Sequence, residues 1–383
     1  MKKILFLTGT RADYGKIKSL MKKLESSRNL ELYIFITGMH MLSKYGATWK
    51  EIDKDGFKNL YHFVNQQTNS KMDIALSNTI LGLSNYVHEL KPDLIVVHGD
   101  RLEALAGAIV GAFNNIKVAH IEGGEVSGTI DESIRHAITK FSHIHFVSND
   151  EAKKRIIQLG EIDKSIFVIG SPDIDVMLSN DLPTIESVKE HYEINYNEFS
   201  ILLYHPVTTQ VNKLRENVSQ LVDALIESKR NYVVIYPNND EGSNIILNEY
   251  KKFSNYVNFK IFPSMRFEYF LTLLKHCEFI IGNSSAGIRE AGVYGVPSID
   301  IGNRQLGRYN SSESKRVLHV EDRKEFILRA INKLNGFRIF SQEFGDGKSN
   351  EKFLAILEED DIWDFEIQKR FVDFSYLGEK VYV

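Results

Sequence analysis

Leu94-Ile95-Val96-Val97-His98 runs directly into Gly99-Asp100-Arg101. The apolar run leaves no polar face, so a strand built from it must be covered on both sides, as strands of a parallel sheet are. Ile34-Phe35-Ile36-Thr37 and Ile166-Phe167-Val168-Ile169-Gly170 have the same character. Working outward from these runs, strands are predicted near 3–8, 31–37, 93–98, 116–121, 143–148 and 166–170. Amphipathic helix patterns lie between them, near 13–26, 71–90, 101–114, 131–141 and 149–160. Strand and helix in alternation predict a doubly wound α/β sheet.

The series then restarts. Strand patterns recur near 200–204, 232–236, 258–262, 278–282 and 297–301, and helix patterns near 210–229, 239–252, 266–276, 285–295 and 322–335. A polar seam over 171–198 holds Pro172 and Pro183. The expectation is two Rossmann-like domains, 1–175 and 176–360, with an aromatic tail at 361–383 packing back on the first. Trp363, Phe365, Phe371, Phe374 and Tyr376 are the aromatics of that tail. Ligands of open α/β sheets bind beyond the carboxyl ends of the strands, so the active site is expected in a cleft between the two domains.

Composition narrows the class. The chain has 383 residues, 43% hydrophobic and 26% charged, with a formal net charge of −4. That balance attracts neither nucleic acid nor an anionic membrane, and no apolar run reaches membrane-spanning length. Lys2-Lys3 before Ile4-Leu5-Phe6-Leu7 imitates a signal peptide, but Thr8-Gly9-Thr10-Arg11 ends the run too early. The cytoplasm is the expected location. The one cysteine, Cys277, excludes an intrachain disulfide and reads as a buried small hydrophobe.

Residues able to carry chemistry gather at strand ends. Thr8-Gly9-Thr10-Arg11-Ala12-Asp13-Tyr14-Gly15-Lys16 passes from strand to helix, where free N–H groups favour an anion and Arg11 could add a phosphate contact; a plain glycine turn with a solvated Arg11 fits the local sequence equally well. It is no P-loop: five residues separate Gly9 from Gly15-Lys16, and Ile17 stands where Ser or Thr belongs. The G-x-G-x-x-G fingerprint is absent too, so no nicotinamide cofactor is expected. Asp100, Glu122 and Asp131 fall at neighbouring strand ends or the next helix start, an arrangement suited to proton transfer. Taken singly, Asp100 and Asp131 also suit helix caps and Glu122 a loop charge. His98, Asp100, His120 and Glu122 make a metal set conceivable, but the upstream and downstream elements of a metallophosphoesterase are missing, and no metal is expected. His143 and His145 read as hydrogen-bonded structural histidines.

In the second half, Tyr204-His205-Pro206 ends a strand and sends His205 into the expected cleft, either as a phosphate or hydroxyl contact or as a hydrogen-bonded turn histidine. Gly282-Asn283-Ser284-Ser285-Ala286-Gly287-Ile288-Arg289-Glu290 carries a buried strand into a helix start through small residues, a pattern for cradling a diphosphate. Glu290 then suits the ribose hydroxyls, and Arg266, opening Arg266-Phe267-Glu268-Tyr269-Phe270, suits either the phosphates or a surface charge in the first helical turn.

TGTRADYGK (8–16), TGMH (37–40), HGDRLEALAGA (98–108), HIEGGEVSGTIDESIRH (120–136), IGSPDID (169–175), HPVTT (205–209), YPNND (236–240), RFEYF (266–270) and the run from GNSSAGIREA through YGVPSIDIG (282–302) occur in this order. Together they resemble the hydrolysing UDP-N-acetylglucosamine 2-epimerases of bacterial sialic acid synthesis, over roughly residues 1–375. The resemblance implies the GT-B fold and conversion of UDP-N-acetylglucosamine and water to N-acetylmannosamine and UDP, without metal or nicotinamide. It implies catalytic roles for Asp100, Glu122, Asp131 and His205. It places Arg11, Arg266, Ser284, Ser285, Gly287 and Glu290 on the nucleotide-binding motifs, and it carries a homodimer by analogy. Related enzymes act on UDP-2,4-diacetamido sugars, and Met39, His40 and Lys44 are expected to bear on that choice.

Overall fold

The computed structural model describes residues 1–127, 130–306, 315–334, 337–341, 343–374 and 380–381. The chain divides into two compact units. Met1–Glu125, Asp131–Asp175 and Phe344–Val383 form the first, and Val126–Ile130 with Val176–Glu343 form the second.

In the first unit β1 (Lys2–Thr8), β2 (Leu30–Ile36), β3 (Leu60–His62), β4 (Leu94–His98), β5 (Lys117–Ile121), β6 (Ile144–Val147) and β7 (Ile166–Val168) make one parallel sheet in the order β3-β2-β1-β4-β5-β6-β7. The pleat sends successive residues to opposite faces. Ile4, Phe6, Leu94 and Val96 enter the layer containing helix Arg11–Leu24, while Leu5, Leu7, Ile95 and Val97 enter the layer of helices Met72–Leu90 and Leu102–Phe113. This two-sided burial is why the strands read as unbroken apolar runs.

The second unit repeats the plan. β8 (Ser200–Leu203), β9 (Tyr232–Ile235), β10 (Phe259–Phe262), β11 (Ile280–Gly282), β12 (Ser298–Ile301) and β13 (Val317–Val320) are parallel in the order β10-β9-β8-β11-β12-β13. In each sheet the order turns back once, between β1 and β4 and between β8 and β11. Those two switch points are where neighbouring connections leave in opposite directions and open the carboxyl edge.

Several sequence expectations change. β3 and β13 went unforeseen because they are edge strands with partly exposed residues and no continuous apolar run. The seam at 171–198 contains helices Pro172–Met177 and Ile185–His191. The helix expected over 285–295 is a 3₁₀ turn, Ser285–Gly287, followed by the four-residue helix Glu290–Val293. Glycines at 287, 292 and 295 disfavour a continuous helix there.

The expected second domain at 176–360 also ends too late, because residues 344–360 belong to the first unit. Helix Ser349–Glu358 inserts Phe353, fully buried, between Phe6 and Phe146, with ring centroids 6.0 and 4.8 Å away. Asp175 accepts hydrogen bonds from the Ser349 and Asn350 N–H groups at 2.8 and 2.7 Å and so caps that helix. Beyond it, Trp363 and Phe365 pack on the same core, whereas Phe371 is exposed. Tyr376 lies outside the described residues.

Buried histidines tie the first unit together. His40 bridges Thr8 Oγ1 at 2.9 Å and Thr48 Oγ1 at 2.6 Å. His120 Nε2 donates to Gly99 O at 2.8 Å, and its Nδ1 lies 3.2 Å from Thr139 Oγ1. His143 accepts from Val118 N–H at 3.1 Å and contacts the tail at Ile367 O, 3.0 Å away. His145 lies 3.3 Å from Glu161, whose carboxylate also pairs with Lys140 and Lys369, each at 2.6 Å. Burial pushes His40 and His143 down to about 4 and His120 down to about 3. All three are therefore neutral in the folded protein.

Two outcomes follow from this packing. Phe353→Ala should cost about 3–5 kcal/mol, seen as an earlier urea midpoint, because it empties a ring-lined site in the first core. The neutral histidines should make the protein acid-labile. Their ordinary value is 6.5 and their folded values are about 3 to about 4, so between those limits the unfolded chain binds more protons. Stability then rises with pH across that window, and the melting temperature should drop between about pH 7 and about pH 5. A flat melting temperature there would contradict neutral burial.

Candidate active site

At the first switch point, β4 ends at His98 and turns through Gly99, whose φ is +72°. The turn is held on two sides: Gly99 N–H donates to Ile121 O at 2.9 Å, and Gly99 O accepts from His120. A carbonyl can only accept, so His120 carries its proton on Nε2 and is open to a donor on Nδ1. Asp100 therefore leaves the strand in a fixed direction. Its carboxylate pairs with Arg135, which is 2% exposed and also donates to Glu125 O at 3.0 Å. Helix Leu102–Phe113 is capped at Arg101, so Asp100 is not its N-cap.

Glu122 follows β5 with φ of +62°, a left-handed backbone that a β-carbon makes costly and that clusters at functional sites. The residue is 5% exposed. Oε1 accepts from Ser171 Oγ, and Oε2 lies 3.1 Å from His98 Nε2, close but off the axis of a hydrogen bond. A buried carboxylate set between a hydroxyl and an imidazole is not the surface loop charge that sequence alone allowed. Asp131 is on the first turn of helix Ile130–Phe141, one turn ahead of Arg135, and is half-buried. Among the described residues no metal-holding group of three or more His, Cys, Asp or Glu side chains occurs.

The turn after β1 is not the open anion site expected. Asp13 takes its N–H groups: Gly9 N and Thr10 N donate to the Asp13 carboxylate at 3.0 Å each, and Thr8 Oγ1 does so at 2.7 Å. Thr10 and Asp13 close a capping box. Arg11 is paired with Glu51. The protein's own carboxylates thus occupy the positions an external phosphate was expected to fill.

At the second switch point, Asn283 clamps His205. Its Oδ1 accepts from His205 N–H at 2.7 Å and its Nδ2 donates to His205 O at 2.9 Å. Asn238 N–H donates to His205 Nδ1 at 3.1 Å, so the neutral ring carries its proton on Nε2 and offers a donor. Gly282 precedes Asn283 with φ of +139°, and a β-carbon there would lie 2.1 Å from Leu203 O. The ends of β8 and β11 are therefore locked in direct backbone contact.

Ser284 Oγ accepts from Ala286 N–H at 3.3 Å, and both Ser284 and Ser285 are partly exposed. Gly287 faces the protein, where a β-carbon would come within 2.4 Å of Ser298 Oγ. The short helix after it supplies little dipole, which leaves hydroxyls and turn N–H groups as the donors at this turn. Glu290, expected to meet the ribose hydroxyls, is 2% exposed. Arg266 caps helix Phe267–His276, takes its own N–H to Tyr192 OH at 3.2 Å, and lays its guanidinium over the Tyr269 ring at 5.6 Å.

His40, expected to bear on the sugar, is fully buried between two threonines and is a structural bridge. Cys277 is buried, and burial pushes its thiol up, which disqualifies it as a nucleophile. The sequence reading did not bring in Arg135, Ser171 or Asn283. Arg135 had a signal, one helical turn after Asp131. Ser171 and Asn283 had only their place in motifs.

A family model described as UDP-N-acetylglucosamine 2-epimerase matches residues 22–358. The UDP-N-acetylglucosamine 2-epimerase of Neisseria meningitidis serogroup B is 47% identical over 380 residues, covering 98% of this chain and 100% of the relative. The UDP-N,N'-diacetylbacillosamine 2-epimerase (hydrolyzing) of Legionella pneumophila is 33% identical over 365 residues, covering 94% and 96%. The crystal structure of the Methanocaldococcus jannaschii UDP-GlcNAc 2-epimerase in complex with UDP-GlcNAc and UDP superposes with a TM-score of 0.78 at 24% identity, covering 93% of this chain and 99% of that one. That likeness concerns the fold, a GT-B-like pair of parallel α/β units. On the family model and the 47% identity to the meningococcal enzyme, this chain belongs to the UDP-N-acetylglucosamine 2-epimerase family.

Proposed function

We propose that the protein is a hydrolysing UDP-N-acetylglucosamine 2-epimerase, which converts UDP-N-acetylglucosamine and water to N-acetylmannosamine and UDP and so supplies sialic acid synthesis. The observation that carries the reading is Glu122. A buried carboxylate on a left-handed backbone, between His98 and Ser171, ends β5, and the Asp100–Arg135 pair follows the adjacent strand β4 at the switch point. Membership of the family supplies the substrate class. The 47% identity to the meningococcal enzyme favours UDP-N-acetylglucosamine, and the 33% identity to the Legionella relative makes a UDP-diacetamido sugar the competing substrate. The reading makes the working assembly a cytoplasmic homodimer.

The chemistry fits these groups. C2–H is not acidic while C1 keeps its UDP. As the C1–O bond breaks, positive charge grows at C1, a carboxylate takes the C2 proton, and the C–H electrons form the C1=C2 bond of 2-acetamidoglucal. A proton then returns to the opposite face of C2 and water adds at C1. Two faces need two proton-handling groups, the work assigned to Asp100, Glu122 and Asp131. Arg135 orients Asp100. The leaving diphosphate gains negative charge, and donors held against it supply what is usually the largest catalytic effect. His205 Nε2–H, the Ser284 and Ser285 hydroxyls and Arg266 are assigned to it, and Glu290 to the ribose.

The mechanism predicts isotopes. In heavy water the product should be N-acetylmannosamine with deuterium at C2. In oxygen-18 water the label should enter the C1 hydroxyl and not UDP. Protium retained at C2, or label in a phosphate, would falsify elimination and hydration. Running the diacetamido sugar in parallel decides the substrate by kcat/KM.

The division of labour predicts variants. Asp100→Asn, Glu122→Gln and Asp131→Asn should each lower kcat by about a hundredfold or more, with UDP affinity near normal. Glu290→Ala should weaken UDP binding by about 1.5–3 kcal/mol in calorimetry. Folded carboxylate variants with native turnover, or unchanged UDP affinity in the last, contradict the assignment.

A further inference from the structure

The motif Ile169-Gly170-Ser171-Pro172-Asp173-Ile174-Asp175 has no part in the chemistry above, yet each of its polar side chains has a definite partner. Ser171, fully buried, donates its hydroxyl to Glu122 Oε1. Asp173, fully buried, pairs with Lys16 at 3.2 Å. Asp175 caps helix Ser349–Glu358. Ser171 N–H also donates to Phe344 O at 2.7 Å, at the point where the chain re-enters the first unit. Gly170 turns at φ of +88° against Gly345 and Ser349. The serine is thus fixed from its own backbone, from the next turn and from the returning helix, and its one free torsion is spent on Glu122.

We propose that Ser171 is the positioning residue of Glu122: its hydroxyl holds Oε1, and the carboxylate is thereby kept in one orientation beside His98 despite its left-handed backbone. This rests on the epimerase reading for what Glu122 does, and on the geometry alone for how it is held. A carboxylate that must meet a C2 proton gains from a locked rotamer, since a small displacement at the reacting atoms costs rate. A hydrogen bond to the charged form also favours that form, so its removal raises the carboxyl pKa.

Ser171→Ala tests the proposal. It should lower kcat by about tenfold, the loss expected for one hydrogen bond to a charged group, with KM and UDP affinity unchanged. The acid limb of the kcat–pH profile should move to higher pH. In the Glu122→Gln background the same substitution should cost nothing further. Carbon-13 titration of the Glu122 carboxyl, assigned by its loss in Glu122→Gln, reads the contact without turnover and should also move up in Ser171→Ala. An unmoved titration, or an equal kcat loss in both backgrounds, overturns the positioning role. A wild-type protein that makes no N-acetylmannosamine from UDP-N-acetylglucosamine overturns the functional reading instead and leaves the titration to decide Ser171.

Discussion

A parallel sheet whose strand order turns back on itself cannot cover both sides of the turning point. The connection leaving one strand goes to one layer and the connection leaving its neighbour goes to the other, so the two carboxyl ends stay open. Both sheets of this chain obey that constraint, between β1 and β4 and between β8 and β11. The places of the motifs singled out in the sequence follow from it. Asp100 leaves β4, Glu122 leaves the adjacent β5, His205 lies just beyond β8 and Ser284 just beyond β11. Nothing in the two sheets beyond their shared plan requires the two edges to carry different groups. One is rich in carboxylates and the other in hydroxyls and amides.

Open edges are loops, and loops need holding. In the first unit neutral imidazoles do much of this: His120 pins the Gly99 carbonyl and His40 joins Thr8 to Thr48. Neutral rings suit the task because each offers one donor and one acceptor, and a buried charge would cost several kcal/mol. In the second unit an amide replaces them. Asn283 satisfies both backbone groups of His205, and the amide N–H of Asn238 sets which ring nitrogen keeps the proton. Three charged pairs also hold the loops of the first unit: Asp100 with Arg135, Arg11 with Glu51, Lys16 with Asp173. The turn after β1 shows the consequence. It has the backbone of an anion site, but Asp13 is already in it.

The sequence by itself determined the class of fold and which residues stand at the open edges of the sheets. Central strands such as Leu94–His98 are buried on both faces, so their identity is written in local composition, and the residue after such a strand is at the open edge whatever lies around it. Asp100, Glu122, His205 and Ser284 were legible for that reason. Tertiary structure decided what depends on partners far along the chain. Edge strands β3 and β13 have no two-sided burial to record. The helix Ser349–Glu358 is amphipathic like any other, and its pattern says that it covers a sheet but not which one; Phe353 fitting between Phe6 and Phe146 settles it. Whether Arg11 faces a ligand or Glu51, and whether His40 lines a site or bridges two threonines, turns on contacts between elements. Ser171 meets Glu122 across 49 residues of chain, and a hydroxyl leaves no periodic signal from which that contact could be read.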